Sequence, residues 1–398
     1  MKKCTTMLIG KKKENVISSD LYVDKWTVEH QDNFVTGDTD LVEKYAGQVK
    51  MSKCDEQKYL GFILSSSGDN MANIRMLKKK SIGTIRKIFT KLNKLSLKNY
   101  YFEVGIIFLN VMLRSSLLYA SETYYNLKEI EMRQLERIEE GYMRQLLKTS
   151  RGCPIAQIYL ELGQVPARFD IFKLRLFFLK YILNQEEDSL IYKFFYLQVQ
   201  NPSKCNWASS CKENLQQLKI NLTFEEIKLM SATKFKKIVC IQIRKEAFKY
   251  LTDKRGEKGS QIIYQDIEMA EYLLPDNCLT IDKKRKLFSV RNRMIDIFSN
   301  YSSQRKIKSF CVCGEEEDMK HIYECKYWNT NEPPEIYEKV YTGTLNQQIE
   351  VLYRFETNFE KREKHTKSSE SDQKIEIPDH EISARDPLSS VLLDYSNG

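Results

Sequence analysis

Apolar side chains recur every three or four positions over most of the chain from residue 73 onward. The first such stripe consists of Ile74, Leu77, Ile82, Ile85, Ile88, Phe89 and Leu92. Similar stripes run through residues 100–118, 129–147, 206–250 and 262–274. This spacing puts apolar residues on one face of an α-helix. Glycine (15) and proline (8), which interrupt helices, are scarce among the 398 residues. The pattern predicts a mainly α fold, a helical bundle.

Two segments depart from this amphipathic pattern. Residues 169–183 are apolar nearly all round, which is typical of a helix at the centre of a bundle. Strand character is confined to residues 1–66, where short apolar runs at 5–10 and 59–64 are closed by glycine or serine. The sequence therefore predicts a small N-terminal β hairpin in front of the helices.

The net charge of +9 is concentrated near the N-terminus. Residues 1–100 carry 19 basic and 11 acidic side chains, an excess of 8. Much of it falls on the helix predicted from residue 73, with Lys78, Lys79, Lys80, Arg86, Lys87, Lys91, Lys94 and Lys98. Asp69 is the one acidic side chain nearby, so pairing at i,i+4 cannot neutralise these cations. This face is either an ordinary solvated surface or a site for a phosphate backbone.

Three cysteines and one of only four histidines fall within fifteen residues. Cys311, Cys313, His321 and Cys325 supply three thiols and an imidazole, the donor set of a closed, four-coordinate zinc site. Gly314 permits a tight turn after the second cysteine. Because a closed site keeps no open position, the predicted zinc has a structural role or helps to grip nucleic acid, and it is not catalytic. The alternative is a chance grouping among ten cysteines.

The remaining sequence signals concern the compartment. The first residues offer only Met7, Leu8 and Ile9 before a lysine run, which is too short for a secretory leader. The most apolar stretch, 104–120, contains Arg114, which favours buried helices over a membrane span. We therefore expect an intracellular protein of the nucleus or cytoplasm, neither secreted nor in a membrane.

Several segments, taken in order, resemble the region that follows the catalytic motif in reverse transcriptases of non-LTR (LINE-type) retrotransposons. Residues 3–10 (Lys-Cys-Thr-Thr-Met-Leu-Ile-Gly) look like the family's strand after the active site. Tyr59, Leu60 and Gly61 look like its primer-grip hairpin, and residues 118–124 (Leu-Tyr-Ala-Ser-Glu-Thr-Tyr) look like its thumb motif. Residues 144–147 and 160–166 continue the series, and the cysteine–histidine group lies where such proteins often carry a zinc knuckle. Ala120, Tyr124 and Cys4 depart from the commoner family residues.

The resemblance implies a domain organisation. The first three domains would be a palm remnant with a primer-grip-like hairpin at 1–66, a thumb-like helical bundle at 67–200 and a helical connector at 201–300. A CCHC zinc knuckle with a following helix would occupy 301–359, and the Lys-, Glu-, Ser- and Asp-rich residues 360–398 predict a disordered tail. The family's Ala-Asp-Asp motif would stand before residue 1.

The sequence contains no Asp-Asp dipeptide and no local carboxylate cluster for two-metal nucleotidyl transfer. The resemblance thus implies a reverse-transcriptase segment that binds RNA, an RNA–DNA hybrid or template-primer and is inactive in polymerisation by itself. Mg²⁺ would matter only for a chain joined to a complete polymerase core. Tyr59, Leu60, Gly61, Lys78, Lys79, Lys80, Arg86, Lys87 and Lys91 are the expected nucleic-acid contacts. The alternative is a zinc-containing helical scaffold or adaptor with unidentified protein partners.

Overall fold

The structure is a computed structural model, and it describes part of the chain. The described residues are 5–6, 22–24, 48–50, 52–53, 56–59, 61–65, 70–124, 127–150, 152–202, 206–256, 262, 264–275, 277, 279–294, 310–328 and 337–372. They divide into two compact units, one comprising residues 1–80 and 127–134 and the other 81–126 and 135–398. The described residues are mainly helical, as the sequence predicts. The helical stripe predicted at 262–274 is wrong, because the described residues of this segment form only a short 3-10 turn at Glu271–Leu273.

The first unit contains the strands. Strand β1 (Thr5–Thr6) pairs in parallel with β4 (Ser52–Lys53), and β2 (Tyr22–Asp24) pairs antiparallel with β3 (Gln48–Lys50). Strands β5 (Glu56–Tyr59) and β6 (Phe62–Ser65) form an antiparallel hairpin in which Tyr59 is opposite Phe62. The predicted hairpin is present, and its apolar run 59–64 divides between the two strands across a turn at Gly61, whose φ is +84°. Most of the strand predicted at 5–10 lies outside the described residues.

The first helix among the described residues, α1, spans Met71–Lys94. Within the first unit, Asn73 Oδ1 accepts a hydrogen bond of 3.2 Å from the backbone N–H of Ile63, which fixes the hairpin to the helix. The backbone N–H of Asn70 donates to the buried carboxylate of Glu131 at 3.1 Å. The second of these bonds satisfies a backbone donor at the start of α1 that the helix itself leaves unpaired.

The second unit holds most of the helices. They are α2 (Tyr101–Phe108), a π-helical turn (Leu109–Arg114), α3 (Ser115–Leu117), α4 (Glu129–Leu147, entering from the first unit), α5 (Ile155–Glu161), α6 (Ala167–Leu183), α7 (Leu190–Gln200), α8 (Trp207–Gln217), α9 (Phe224–Leu229), α10 (Ala232–Gly256), α11 (Ile281–Arg291), α12 (Met319–Glu324), α13 (Lys339–Thr342) and α14 (Leu345–Asp372). Among the described residues, no helix has both the length and the apolar content that crossing a membrane requires.

Helix α6 is the central element of this unit. It packs against α7, α8, α9 and α10, and its apolar residues are largely buried. Its two buried cations, Arg175 and Lys180, both donate hydrogen bonds to acceptors within the unit. Arg175 donates to Asn214 Oδ1 and to the carbonyl of Tyr124, both at 2.6 Å, and Lys180 Nζ donates to the carbonyl of Ile227 at 2.8 Å. The prediction of a central helix at 169–183 is therefore confirmed.

The predicted disordered tail begins inside a helix. Helix α14 continues to Asp372, twelve residues past the predicted start of the tail at residue 360. Phe355 and Asn358 are buried on this helix, and Lys361 and Arg362 bond to residues 310–328, so packing stabilises the helix beyond its apolar section. Residues 373–398 lie outside the described part of the chain.

Gly163 occupies a backbone position that glycine alone tolerates. Its φ is +63°, and a Cβ atom there would lie 2.4 Å from the backbone nitrogen of Met269. We expect G163A to lower the free energy of unfolding by about 1–3 kcal/mol. Gly141, inside α4, has no heavy atom within 4 Å of such a Cβ, so G141A should instead raise stability by about 0.5–1 kcal/mol. Urea unfolding followed by circular dichroism measures the stability of both variants. Equal changes in the free energy of unfolding would contradict the assignment of Gly163 as a position restricted to glycine.

Candidate metal centre

The predicted ligands lie on a short loop followed by one helical turn, residues 310–328, which we call the metal loop. Phe310 and Glu316 form an antiparallel bridge that closes its first part. Inside this bridge the backbone N–H of Gly314 donates to the carbonyl of Cys311 at 2.8 Å, and the φ of Gly314 is +89°. The turn that the sequence predicts at Gly314 is thus present, and it brings Cys311 and Cys313 to one side.

Helix α12 delivers the other two ligands. Its N-terminus is capped by Asp318, whose Oδ1 accepts a hydrogen bond of 2.6 Å from the backbone N–H of His321. His321 lies one turn into the helix, and Cys325 follows its last residue. The backbone N–H of Cys325 donates to the carbonyl of His321 at 2.6 Å, which keeps the two side chains together.

The four ligand atoms converge to within 4.8 Å of one another. The Sγ atoms of Cys311 and Cys325 are 3.6 Å apart, and Cys313 Sγ is 3.2 Å from His321 Nε2. In a tetrahedral zinc site, bond lengths of about 2.3 Å for sulfur and 2.0 Å for nitrogen place neighbouring donors about 3.5–3.8 Å apart. The donors are therefore arranged so that this group could hold a metal ion.

The interior half of the site is apolar. Cys311, Cys325 and Trp328 form a buried cluster, whereas Cys313 is exposed. Burial raises the pKa of the Cys325 thiol to about 12. With its pKa raised so far, the Cys325 thiol remains protonated near neutral pH unless a cation compensates the charge of its thiolate. A bound metal supplies that compensation, which links metal binding to the folding of the loop.

Helix α14 clamps the metal loop through side chains that no sequence motif indicates. Arg362 forms a bidentate ion pair with the buried Glu317, with N···O distances of 2.9 and 2.7 Å. Asn358 Nδ2 donates to the carbonyls of Ile322 and Tyr323 at 3.2 and 3.3 Å. Lys361 Nζ donates to the carbonyl of Trp328 at 3.1 Å. The clamp satisfies carbonyls at the end of α12 and ties the site to a long helix.

The charge of the metal loop is strongly acidic. Between Cys311 and Cys325 lie Glu315, Glu316, Glu317, Asp318 and Glu324 against the single cation Lys320. Three of these acids, Glu315, Glu316 and Asp318, are exposed. Three thiolates and a divalent cation would add one further negative charge. Because like charges repel, this surface disfavours contact with a phosphate backbone.

The basic residues predicted on α1 are at the surface with one exception. Lys79, Lys80, Arg86, Lys87 and Lys91 are exposed, and Lys78 is half-buried. Lys78, Lys79 and Lys80 belong to the first unit, and Arg86, Lys87 and Lys91 belong to the second. In the second unit, α1 buries Ile85, Ile88 and Leu92 on its opposite side. The structure thus places most of these cations at the surface of their units.

The three hairpin residues are described only in part. Tyr59 ends β5 and Gly61 lies in the turn, where it is exposed. Leu60 lies outside the described residues. Their role as a primer grip therefore remains a prediction.

No protein-family model, no curated protein and no solved structure matches this chain.

Proposed function

We propose that the chain is a segment derived from a non-LTR retrotransposon reverse transcriptase, binding RNA or an RNA–DNA hybrid through the basic face of α1. One observation carries the proposal. Arg86, Lys87, Lys91 and Lys94 are exposed on a single helix, and among the residues that the structure describes no acidic side chain forms a salt bridge with any of them. The order of the sequence motifs that resemble the family supports the choice of nucleic acid as the partner.

The spacing of these four cations suits a polyanion. At 100° and 1.5 Å per residue, they fall within about 140° around the helix and extend about 12 Å along it. Each cation that neutralises a phosphate releases condensed counterions, so the affinity should fall steeply with salt. In a complete polymerase, the same face would follow the template-primer duplex while the hairpin at Tyr59 and Gly61 held the primer end. Mg²⁺ belongs only to such a complete core.

Zinc is the metal we propose for the cysteine–histidine group. Three thiolates and one imidazole form a soft donor set that favours zinc over magnesium or calcium. With all four positions filled by protein ligands, the ion would hold the metal loop against α14. Because this loop is acidic, we assign its zinc a structural role and assign nucleic-acid contact to α1.

A charge-removal experiment tests the assignment to α1. The variant R86Q/K87Q/K91Q/K94Q should bind a single-stranded RNA oligonucleotide more weakly, and its slope of log K against log salt should be smaller by about 3. The matched control, K234Q/K237Q/K245Q/K249Q, removes the same charge from four exposed lysines of α10. Filter-binding titrations between 50 and 300 mM salt measure both. A smaller slope in the control and an unchanged slope in the α1 variant would contradict the proposal.

A second candidate function is a zinc-containing helical scaffold with protein partners. Its support is the apolar ridge on α7, where Leu190, Phe194 and Leu197 are 83%, 63% and 55% exposed. Their i, i+4, i+7 spacing is that of a helix which anchors in a partner's groove. The same titration separates the two functions, since a scaffold that does not use nucleic acid would bind no RNA even at low salt.

A further inference from the structure

The two ring nitrogens of His321 face different partners. Nε2 lies 3.2 Å from Cys313 Sγ, inside the group of four ligand atoms. Nδ1 lies 3.2 Å from Oε2 of Glu315, on the other side of the ring. A neutral imidazole has one protonated nitrogen and one with a free lone pair, and only the latter can bind a metal. The geometry therefore assigns the lone pair to Nε2 and the proton to Nδ1.

We infer that Glu315 is a positioning residue for the metal centre: its carboxylate accepts the Nδ1–H bond of His321 and so directs Nε2 at the ion. This inference rests on the proposed zinc site. It extends that site from four ligands to five participating side chains, one of which never touches the metal. Outer partners of this kind fix both the tautomer and the orientation of a ligating histidine, and they raise its basicity.

Local backbone bonds hold both partners in place. The carbonyl of Glu315 accepts a hydrogen bond of 2.8 Å from the backbone N–H of Cys311, which fixes its backbone within the closed turn. The backbone N–H of His321 is held by the Asp318 cap of α12. The backbones that carry Glu315 and His321 are therefore both tied into the metal loop by hydrogen bonds.

Two of the other nearby carboxylates are engaged elsewhere. Glu317 is paired with Arg362, and Asp318 caps α12. Glu316 is exposed next to Glu315 and carries the same charge. Glu315 itself lies outside the group of four converging ligand atoms, so it is not a fifth ligand. Its side chain is 78% exposed, so its replacement should leave the packing of the loop unchanged.

Zinc affinity of the full chain tests the inference. In competition with a chromophoric chelator under reducing conditions, E315A should bind zinc about tenfold more weakly than the unaltered chain. E315Q keeps an acceptor for Nδ1–H without the charge, so its affinity should recover part of that loss. E316A removes the same charge from the neighbouring residue and should bind within about twofold of the unaltered chain.

A spectroscopic readout separates positioning from a general effect of charge. In long-range ¹H–¹⁵N correlation spectra of the zinc-loaded chain, His321 should carry its proton on Nδ1 and bind zinc through Nε2. Equal zinc affinities for E315A and E316A, or a zinc-bound Nδ1, would overturn the inference while leaving the zinc site intact. An unaltered chain that binds no zinc would overturn the proposed site and this inference together.

Discussion

The C325S variant is expected to purify with almost no bound zinc, whereas the unaltered chain should carry about one equivalent. Cys325 supplies a buried thiolate, and serine offers a hydroxyl that is a poor zinc ligand at neutral pH. Three remaining ligands would leave an open position on the interior side of the site, next to Trp328. Metal analysis after dialysis against a mild chelator measures the loss.

The same variant should lose the ordered structure of the metal loop. For structural zinc sites, binding supplies about 10–16 kcal/mol of apparent free energy, which a segment of this size cannot replace by burial. Backbone amides at 310–328 should therefore exchange with deuterium much faster in C325S. Amides of α6 should keep their protection, because that helix is held by its own contacts with α7, α8, α9 and α10.

The control for the loss of a thiol is C240S. Cys240 is exposed on α10, outside the ligand group, so its replacement should change neither the zinc content nor the exchange of the metal loop. Equal zinc contents in C325S and the unaltered chain would show that Cys325 is not a ligand. H321A provides an independent check, since it removes the imidazole and leaves all three thiols.

The features that the sequence predicted correctly follow from patterns that are short-range in sequence. Helices α1 and α4 follow from the three-to-four spacing of apolar residues, and the central helix α6 follows from its all-round apolarity. The four candidate metal ligands lie within fifteen residues, so their spacing alone indicates them. For this reason the fold class and the candidate metal group could be predicted from the sequence.

Contacts between residues that are distant in sequence could not be predicted in this way. Glu317 and Arg362 are 45 residues apart, and neither has a neighbour in sequence that indicates the other. The predicted tail start at residue 360 was wrong for the same reason, because the composition there is polar while Asn358, Lys361 and Arg362 pack on the metal loop. The sequence places Glu315 near His321, and a carboxylate near a ligating histidine commonly accepts a hydrogen bond from its second ring nitrogen. Only the structure shows that Glu315, and not Glu316, contacts His321.

A buried ion pair holds four elements of the second unit together. The carboxylate of Glu139 on α4 is fully buried and accepts a hydrogen bond from the guanidinium of Arg114 on the π-helical turn. It also accepts from the hydroxyl of Tyr159 on α5 at 2.9 Å and from the backbone N–H of Ala167 at 3.2 Å. Ala167 begins α6, so the negative charge lies at the positive end of that helix.

Electrostatics in this cluster depend on all its members being present. Burial raises the pKa of Glu139, and Arg114 counteracts that rise. Arg114 is in turn 3.4 Å from Asp170, and its Nη2 donates to the carbonyl of Val165 at 2.6 Å. Removing one carboxylate therefore leaves a buried cation with only part of its compensation. It also leaves two further donors without their acceptor.

E139A should consequently lower the free energy of unfolding by about 3–5 kcal/mol. E139Q keeps the shape and one acceptor oxygen, so its loss should be smaller, about 1–3 kcal/mol. Urea unfolding of the zinc-loaded chain, followed by circular dichroism, measures both variants. The matched surface control is E187A, which breaks the exposed Glu187–Lys228 pair and should cost less than about 1 kcal/mol.

The order of the three variants decides what the cluster contributes. A loss in E139A no larger than that in E187A would mean that water or neighbouring acceptors replace the carboxylate, and the cluster would then not hold the four elements together. A loss in E139Q equal to that in E139A would mean that the charge of Glu139, and not its hydrogen bonds, provides the stabilisation. Because Ala167 and Tyr159 donate to the same oxygen, we expect the graded order, with glutamine between the unaltered chain and alanine.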